Sequence, residues 1–251
     1  MSLLVEWRGG NTTLGINAVA MIALPGVGNI GKTSLEALNE INQAEEVARL
    51  HHTALPPLAT LDEDGLLSPP HLSVRSIEST TGVRLLTIVG TSQPLESQFQ
   101  GVMAREIMKF LKSEKVDNLI VLAGMVDVAT RKETFIVPSS SGFRVELEAM
   151  SADVRRDEPS SGAIGMAALL SSYGPLFDIN SACAIATTVG SSGDIHASQR
   201  LLESLDKWFG LGVALPKDAK EKLSKKLESM APKEINDHYS EITESPDAFY
   251  M

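Results

Sequence analysis

Five short apolar runs, separated by stretches whose apolar residues recur at helical spacing, constrain what this chain can fold into. The runs are Ala18 to Leu24, Val47 to His51, Arg84 to Val89, Asn118 to Ala123 and Ala182 to Val189, and most of them lack a polar face. A strand of that kind belongs in a central sheet covered on both sides. Between them, Lys32 to Gln43 places Leu35, Leu38 and Ile41 at three-residue steps on one face, the stripe by which a helix packs on a sheet. Ser97 to Ser113, Gly162 to Tyr173 and Asp194 to Phe209 repeat the helical pattern. The alternation predicts an α/β layered fold with four helices flanking the strands. A chain of 251 residues is long enough for one elaborate core. Asp62 to Pro70, rich in Asp, Gly and Pro, is expected to be a long irregular excursion.

Composition narrows the function classes. The net charge of -10 opposes a phosphate backbone, and no Lys/Arg stripe offsets it, so nucleic acid is not an expected partner. The apolar runs are too short to cross a bilayer as helices. Glu6 and Arg8 interrupt the start where a secretion signal would need a long apolar stretch. Cys183 is the only cysteine, which excludes an internal disulfide and a cysteine-rich zinc site and suits a reducing cytoplasm. Its small apolar surroundings mark it as a buried thiol. No metal is assigned: the five histidines lack the spacing that puts two imidazoles on one ion. The serine clusters Ser139 to Ser141, Ser160 with Ser161, and Ser191 with Ser192 lack a nucleophile elbow. They suit polar loops, and Ser191 or Ser192 is placed to cap the helix that follows.

Gly26, Val27, Gly28, Asn29, Ile30, Gly31, Lys32 and Thr33 satisfy the phosphate-loop pattern between a strand-like and a helix-like run. Two readings of this turn stand side by side. In one, backbone N–H groups cradle the phosphates of a magnesium nucleotide, Lys32 neutralises their charge and Thr33 holds the magnesium. Asp127 is then the one candidate for the acidic partner. In the other, the glycines permit a tight turn and close approach of helix to sheet.

Beyond Pro216 the chain changes character. Asp218 to Met230 is a Lys/Glu-laced stretch with Leu223 and Leu227 at i,i+4 spacing, which predicts a charged surface helix. From Ala231 the residues are polar and acidic until Phe249, Tyr250 and Met251, so a mobile tail is expected, and an aromatic end on such a tail is unexplained unless something receives it. The expected organisation is an α/β domain over 1–215, a helix over 216–230 and a tail over 231–251.

The stretch Leu24-Pro25-Gly26-Val27-Gly28-Asn29-Ile30-Gly31-Lys32 resembles the opening motif of the archaeal and eukaryotic proteasome-assembly-chaperone family. Also similar are Gly90 to Pro94 with the helix through Glu106, Leu122-Ala123-Gly124, Gly162-Ala163-Ile164-Gly165, and Asp194 through Ala197. Together these motifs cover about residues 18 to 215. Within the family the chain looks like the archaeal Pba-type homologues of the eukaryotic proteasome assembly chaperone two. The resemblance implies a three-layer α/β/α domain with a mixed, mainly parallel sheet, similar to nucleoside phosphorylases. It also implies a homo-oligomer and, in some family members, a second assembly chaperone as partner. Grouping of the family with ATP-grasp proteins implies a nucleotide-binding alternative, for which no catalytic set carries over.

Phe249-Tyr250-Met251 resembles the hydrophobic-tyrosine-any motif that proteasome activators and certain assembly chaperones insert between α-ring subunits. In that reading both rings are buried, the Tyr250 hydroxyl finds a polar partner, and the Met251 carboxylate pairs with a lysine on the core-particle α-subunits. Several weak copies in an oligomer would gain from effective concentration. The resemblance therefore implies a binding protein rather than an enzyme.

Overall fold

The computed structural model describes residues 3–15, 18–61, 65–159, 162–190 and 193–213. The longest apolar runs become the middle of an eight-stranded sheet. β2 (Ala18–Ala23), β7 (Arg84–Gly90), β8 (Asn118–Val126) and β10 (Asn180–Thr188) lie side by side in the order β7-β2-β8-β10, all parallel. Antiparallel strands complete the sheet at both edges. On one side are β6 (Leu72–Glu78), β3 (Glu45–His51) and β1 (Leu4–Trp7); on the other is β9 (Thr134–Pro138). The expected mixed sheet is present, with its parallel pairings gathered at the centre where helices cover both faces. The Asp62 to Pro70 region is partly regular: β4 (Thr60–Leu61) and β5 (Leu67–Ser68) pair antiparallel as a small separate ladder.

The side-chain period of two divides each central strand between two cores. Met21, Leu85, Ile120 and Ala184 point to one face and pack with α1 (Ile30–Ile41), α3 (Ser141–Ala149) and α5 (Ile195–Phe209). Ile22, Leu86 and Val121 point to the other and pack with α2 (Ser97–Ser113) and α4 (Met166–Tyr173). Three layers result, with helices on both faces. Fully buried Ile22, Leu35 and Leu86 each stabilise the fold by about 1.5–3 kcal/mol.

Five helices, not four, stand among the described residues, and α3 is the addition. Ser140, expected in a polar loop, is its N-cap and accepts a hydrogen bond from the Phe143 N–H at 3.2 Å. Phe143 and Leu147, one helical turn apart, bury its inner face. At α5 the cap is Asp194, whose Oδ1 accepts from the Ala197 N–H at 2.9 Å. Ser191 and Ser192 lie outside the described residues. The Thr188 hydroxyl donates to Asp194 Oδ2 at 2.7 Å and so ties the end of β10 to the start of α5. Among the described residues no helix is long and apolar enough to cross a membrane.

Candidate functional site

The glycine turn begins where β2 ends, at the carboxyl edge of the parallel strands. Val27–Asn29 form one 3-10 turn, with Gly28 at φ 62° and Asn29 at φ 52°, and α1 starts at once with Ile30. The Gly26 N–H donates to Asn29 Oδ1 at 3.4 Å, and the Gly193 N–H donates to Gly28 O at 3.1 Å, which pins the turn to the loop after β10. The turn lies against β8 at very short range. A Cβ at Gly31 would stand 2.4 Å from Leu122 O, and one at Gly124 would stand 2.4 Å from Val27 O. Gly31 on the helix, against Leu122, and Gly124 on the strand, against Val27, therefore let backbone touch backbone. Lys32 Nζ lies 3.6 Å from Glu36 Oε1, one turn along the same helix. Burial pushes the Glu36 carboxyl above its ordinary value despite that lysine. Thr33 is buried.

Beside the turn opens a cavity of about 760 Å³ at the carboxyl ends of β2, β8 and β10. On its β2 side the connections leave β7 and β2 for opposite faces of the sheet, toward α2 and α1, so the cavity adjoins a position of the kind at which open α/β sheets hold ligands. Its floor is apolar, with Ile22, Val121, Ala123, Cys183 and Ile185; Gly26 and Gly31 line one wall, and Gly162 to Met166 line another. Phe135, Cys183 and Ile185 form a small core of their own on the α2/α4 face, next to the partly buried Ala123 and Met125. Of the residues of the phosphate-loop pattern, Gly26 and Gly31 border the cavity, whereas Gly28, Lys32 and Thr33 are not among its lining.

The polar wall is a carboxylate–guanidinium cluster. Arg131 donates to Asp127 Oδ2 at 2.8 Å, to Glu133 Oε2 at 2.9 Å and to Glu158 Oε2. Arg155 joins it through Asp153 and Glu133 and lies over the Phe135 ring, 5.4 Å from its centre. The 153–158 segment reaches this place because it runs beside β9: the Ile136 N–H donates to Asp153 O, and the Arg155 N–H donates to Ile136 O. The Val128 N–H and then Arg131 hold the Asp127 carboxyl below its ordinary value, and the Arg131 hydrogen bond does the same for Glu133. The pairings, first with Glu158, hold Arg131 charged. Asp127, the candidate magnesium partner of the phosphate-loop reading, is thus committed to Arg131.

Chemically, Asp127 and Glu133, held below their ordinary values, stay ionised, and burial pushes the Cys183 thiol up to about 11, which keeps it protonated and unreactive. The cavity offers shape, apolar surface and fixed charge. Sequence reasoning missed Arg131, Glu133, Arg155 and Glu158, because the two local groups, 131–133 and 155–158, join only where the 153–158 segment runs beside β9. Phe249, Tyr250 and Met251 lie outside the described residues, as do the stretches at 216–230 and 231–251. The last described residues sit at the opposite edge of the sheet, where Gly212 O accepts from the Thr80 N–H at 3.0 Å and from its hydroxyl at 2.8 Å.

A family model described as the PAC2 family matches residues 20–233. The chain belongs to the PAC2 family. The match spans most of the described core, from within β2 onward, including the glycine turn and both walls of the cavity. An uncharacterised protein of Methanocaldococcus jannaschii is 22% identical over 214 residues, covering 85% of this chain and 80% of that protein. Among solved structures, the fold is similar to Pyrococcus furiosus PbaB, described as an archaeal proteasome activator, with a TM-score of 0.75 and 18% identity over 91% of this chain and 97% of that one. It is also similar to Pyrococcus furiosus PbaA, described as an archaeal homologue of proteasome-assembly chaperone, with a TM-score of 0.68 and 20% identity over 90% of this chain and 99% of that one. A Thermoplasma acidophilum protein of unknown function aligns with a TM-score of 0.71 and 17% identity over 95% of this chain and 92% of that one. PAC2 membership and the shared three-layer fold agree with the family and architecture expected from the sequence.

Proposed function

We propose that this PAC2 protein is a proteasome assembly chaperone or proteasome-binding factor that docks on the core-particle α-ring through Phe249, Tyr250 and Met251. The observation that carries the reading is the conjunction of a PAC2 core with an aromatic pair at the end of a polar, acidic stretch. PbaA and PbaB, which share the fold, are described as a chaperone homologue and a proteasome activator. The last described residues, ending at Val213, lie at the end of the domain opposite the cavity. A homo-oligomer multiplies the docking element, which raises avidity without a large single interface. The nucleotide alternative has less behind it. Close packing against Leu122 accounts for Gly31, Glu36 engages Lys32, and Arg131 engages Asp127.

The test is co-purification with core-particle α-subunits of the full chain and of a version lacking 249–251. The expected result is loss of the α-ring with an unchanged circular dichroism spectrum. Undiminished co-purification after the deletion overturns the reading.

A further inference from the structure

We propose that the cavity at the carboxyl ends of β2, β8 and β10 is an anchor pocket for a segment of a partner protein, one that presents a bulky apolar side chain next to a lysine or arginine. The pocket stands independently of the reading of Phe249, Tyr250 and Met251.

Three observations converge on that occupant. The first is the floor: Ile22, Val121, Ala123, Cys183 and Ile185 present apolar surface inside a volume of about 760 Å³, within the ~300–1,000 Å³ range of built ligand sites. The second is the rim. Ile164 and Val126, both on the lining, are 96% and 61% exposed, and the exposed Val128 and Val189 adjoin them, one next to the lining Asp127 and the other next to Thr188, the strand partner of Val126. A small molecule seated in the cavity leaves such a collar in water. A chain laid across the mouth covers it, in the arrangement of a central anchor ringed by residues that exclude water.

The third observation is charge. Asp127, Arg131 and Glu158 line the cavity, and behind them Glu133, Asp153 and Arg155 extend the cluster to four carboxylates on two guanidinium groups. Exposed Lys132 and Asp157 beside them cancel each other, and Arg156 is paired with Glu148. The wall keeps a surplus of negative charge, so it favours a cationic residue beside the anchor and disfavours an anion. That sign argues against phosphate groups. It also argues against the chain's own end, where Glu241, Glu244 and Asp247 precede the aromatic pair.

The test is selection of a random dodecapeptide phage library on the full chain, followed by anisotropy titration of the enriched peptides. Enriched sequences should carry a large aromatic or aliphatic residue with a lysine or arginine within three positions. Their affinity should fall at least tenfold in Ile164→Asp and several-fold in Glu158→Gln, and should be unchanged in Leu58→Asp, which alters an exposed leucine outside the cavity. Because Ile164 is almost fully exposed, its substitution leaves the fold intact. Absence of enrichment, enrichment of acidic sequences, or equal binding by Ile164→Asp overturns the proposal. Displacement of the peptides by magnesium ATP assigns the cavity to a nucleotide and overturns it too.

Discussion

Gly31 on α1 approaches the backbone of Leu122 on β8 so closely that a Cβ there would lie 2.4 Å from the Leu122 carbonyl oxygen. No rotamer change relieves such a contact, because the atom in the way is backbone. Gly31→Ala must therefore push α1 off the sheet, with a loss of about 1–3 kcal/mol or more. Lys32→Ala, one residue on, removes only the i,i+4 pair with Glu36, and should cost about 0.5 kcal/mol or less. Urea denaturation of the two variants measures the contrast. A phosphate loop retained for ligand binding alone would show the reverse, with a stable Gly31→Ala protein and nucleotide heat that Lys32→Ala removes.

Arg131 gathers Asp127, Glu133 and Glu158 at one guanidinium. Arg131→Met leaves three neighbouring carboxylates without their shared counter-charge, so the melting temperature at neutral pH should fall. The sign with pH is fixed. The folded state holds Asp127 and Glu133 below their ordinary carboxyl values, so their contribution is present above the unfolded values and is lost as pH falls through the folded ones. The variant should lose less stability on acidification than the parent, and the two thermal curves should draw together as pH falls from about 4.5 through the lowered folded values. Curves that stay parallel into the acid unfolding region would mean that Arg131 supports the fold by packing rather than by charge.

The parts of this fold visible in the sequence are those whose signal is local. Asn118–Val126 and Asn180–Thr188 announce themselves by continuous apolar residues, and Ser97–Ser113 by its helical stripe. Leu72–Glu78 alternates apolar and polar residues over much of its length, a period-two signal that would have marked it as a strand. Leu4–Trp7 and Thr134–Pro138 are edge strands of four and five residues, too short for any periodicity to stand out. The α3 helix was hidden by its own cap, since a serine run reads as a loop until Phe143 and Leu147 are weighed four residues apart. The glycine turn was legible as a turn, but its tightness depends on Gly124, more than ninety positions away. The same holds for His51 and His71, whose rings come within 5.5 Å, and for the Arg131 cluster. Such sites are made by strand pairing, which the sequence does not display.

His52 is buried, and its Nδ1 accepts a hydrogen bond from the Ala54 N–H at 3.0 Å while its Nε2 has no hydrogen-bond partner among the described residues. Burial holds this imidazole below its ordinary value near 6.5, against the opposing pull of Glu106. The fold thus prefers the neutral ring. Below about pH 6.5 the unfolded chain binds the proton first, and stability falls until the folded ring also titrates. His52→Asn keeps an acceptor for the Ala54 N–H without a titrating group, so it should flatten the stability curve between pH 7 and 5. Chemical denaturation at half-unit pH steps checks this. An unchanged slope would show that another group controls the acid side of the curve.

Deleting Phe249, Tyr250 and Met251 removes two aromatic rings and moves the chain's carboxylate at once, so loss of α-ring binding would not say which matters. Extending the chain by three small polar residues beyond Met251 separates them: both rings stay, and only the carboxylate is displaced. If that charge pairs with a lysine on the receiving ring, the extension should weaken binding at least tenfold, or about 1.4 kcal/mol, with the thermal unfolding curve unchanged. Met251→Ala should bind as the parent does, because the last side chain is the unspecified position of the motif while its carboxylate remains. Binding that survives the extension and fails only on removal of Phe249 or Tyr250 would assign the contact to ring burial alone, and the free end would have no part in it.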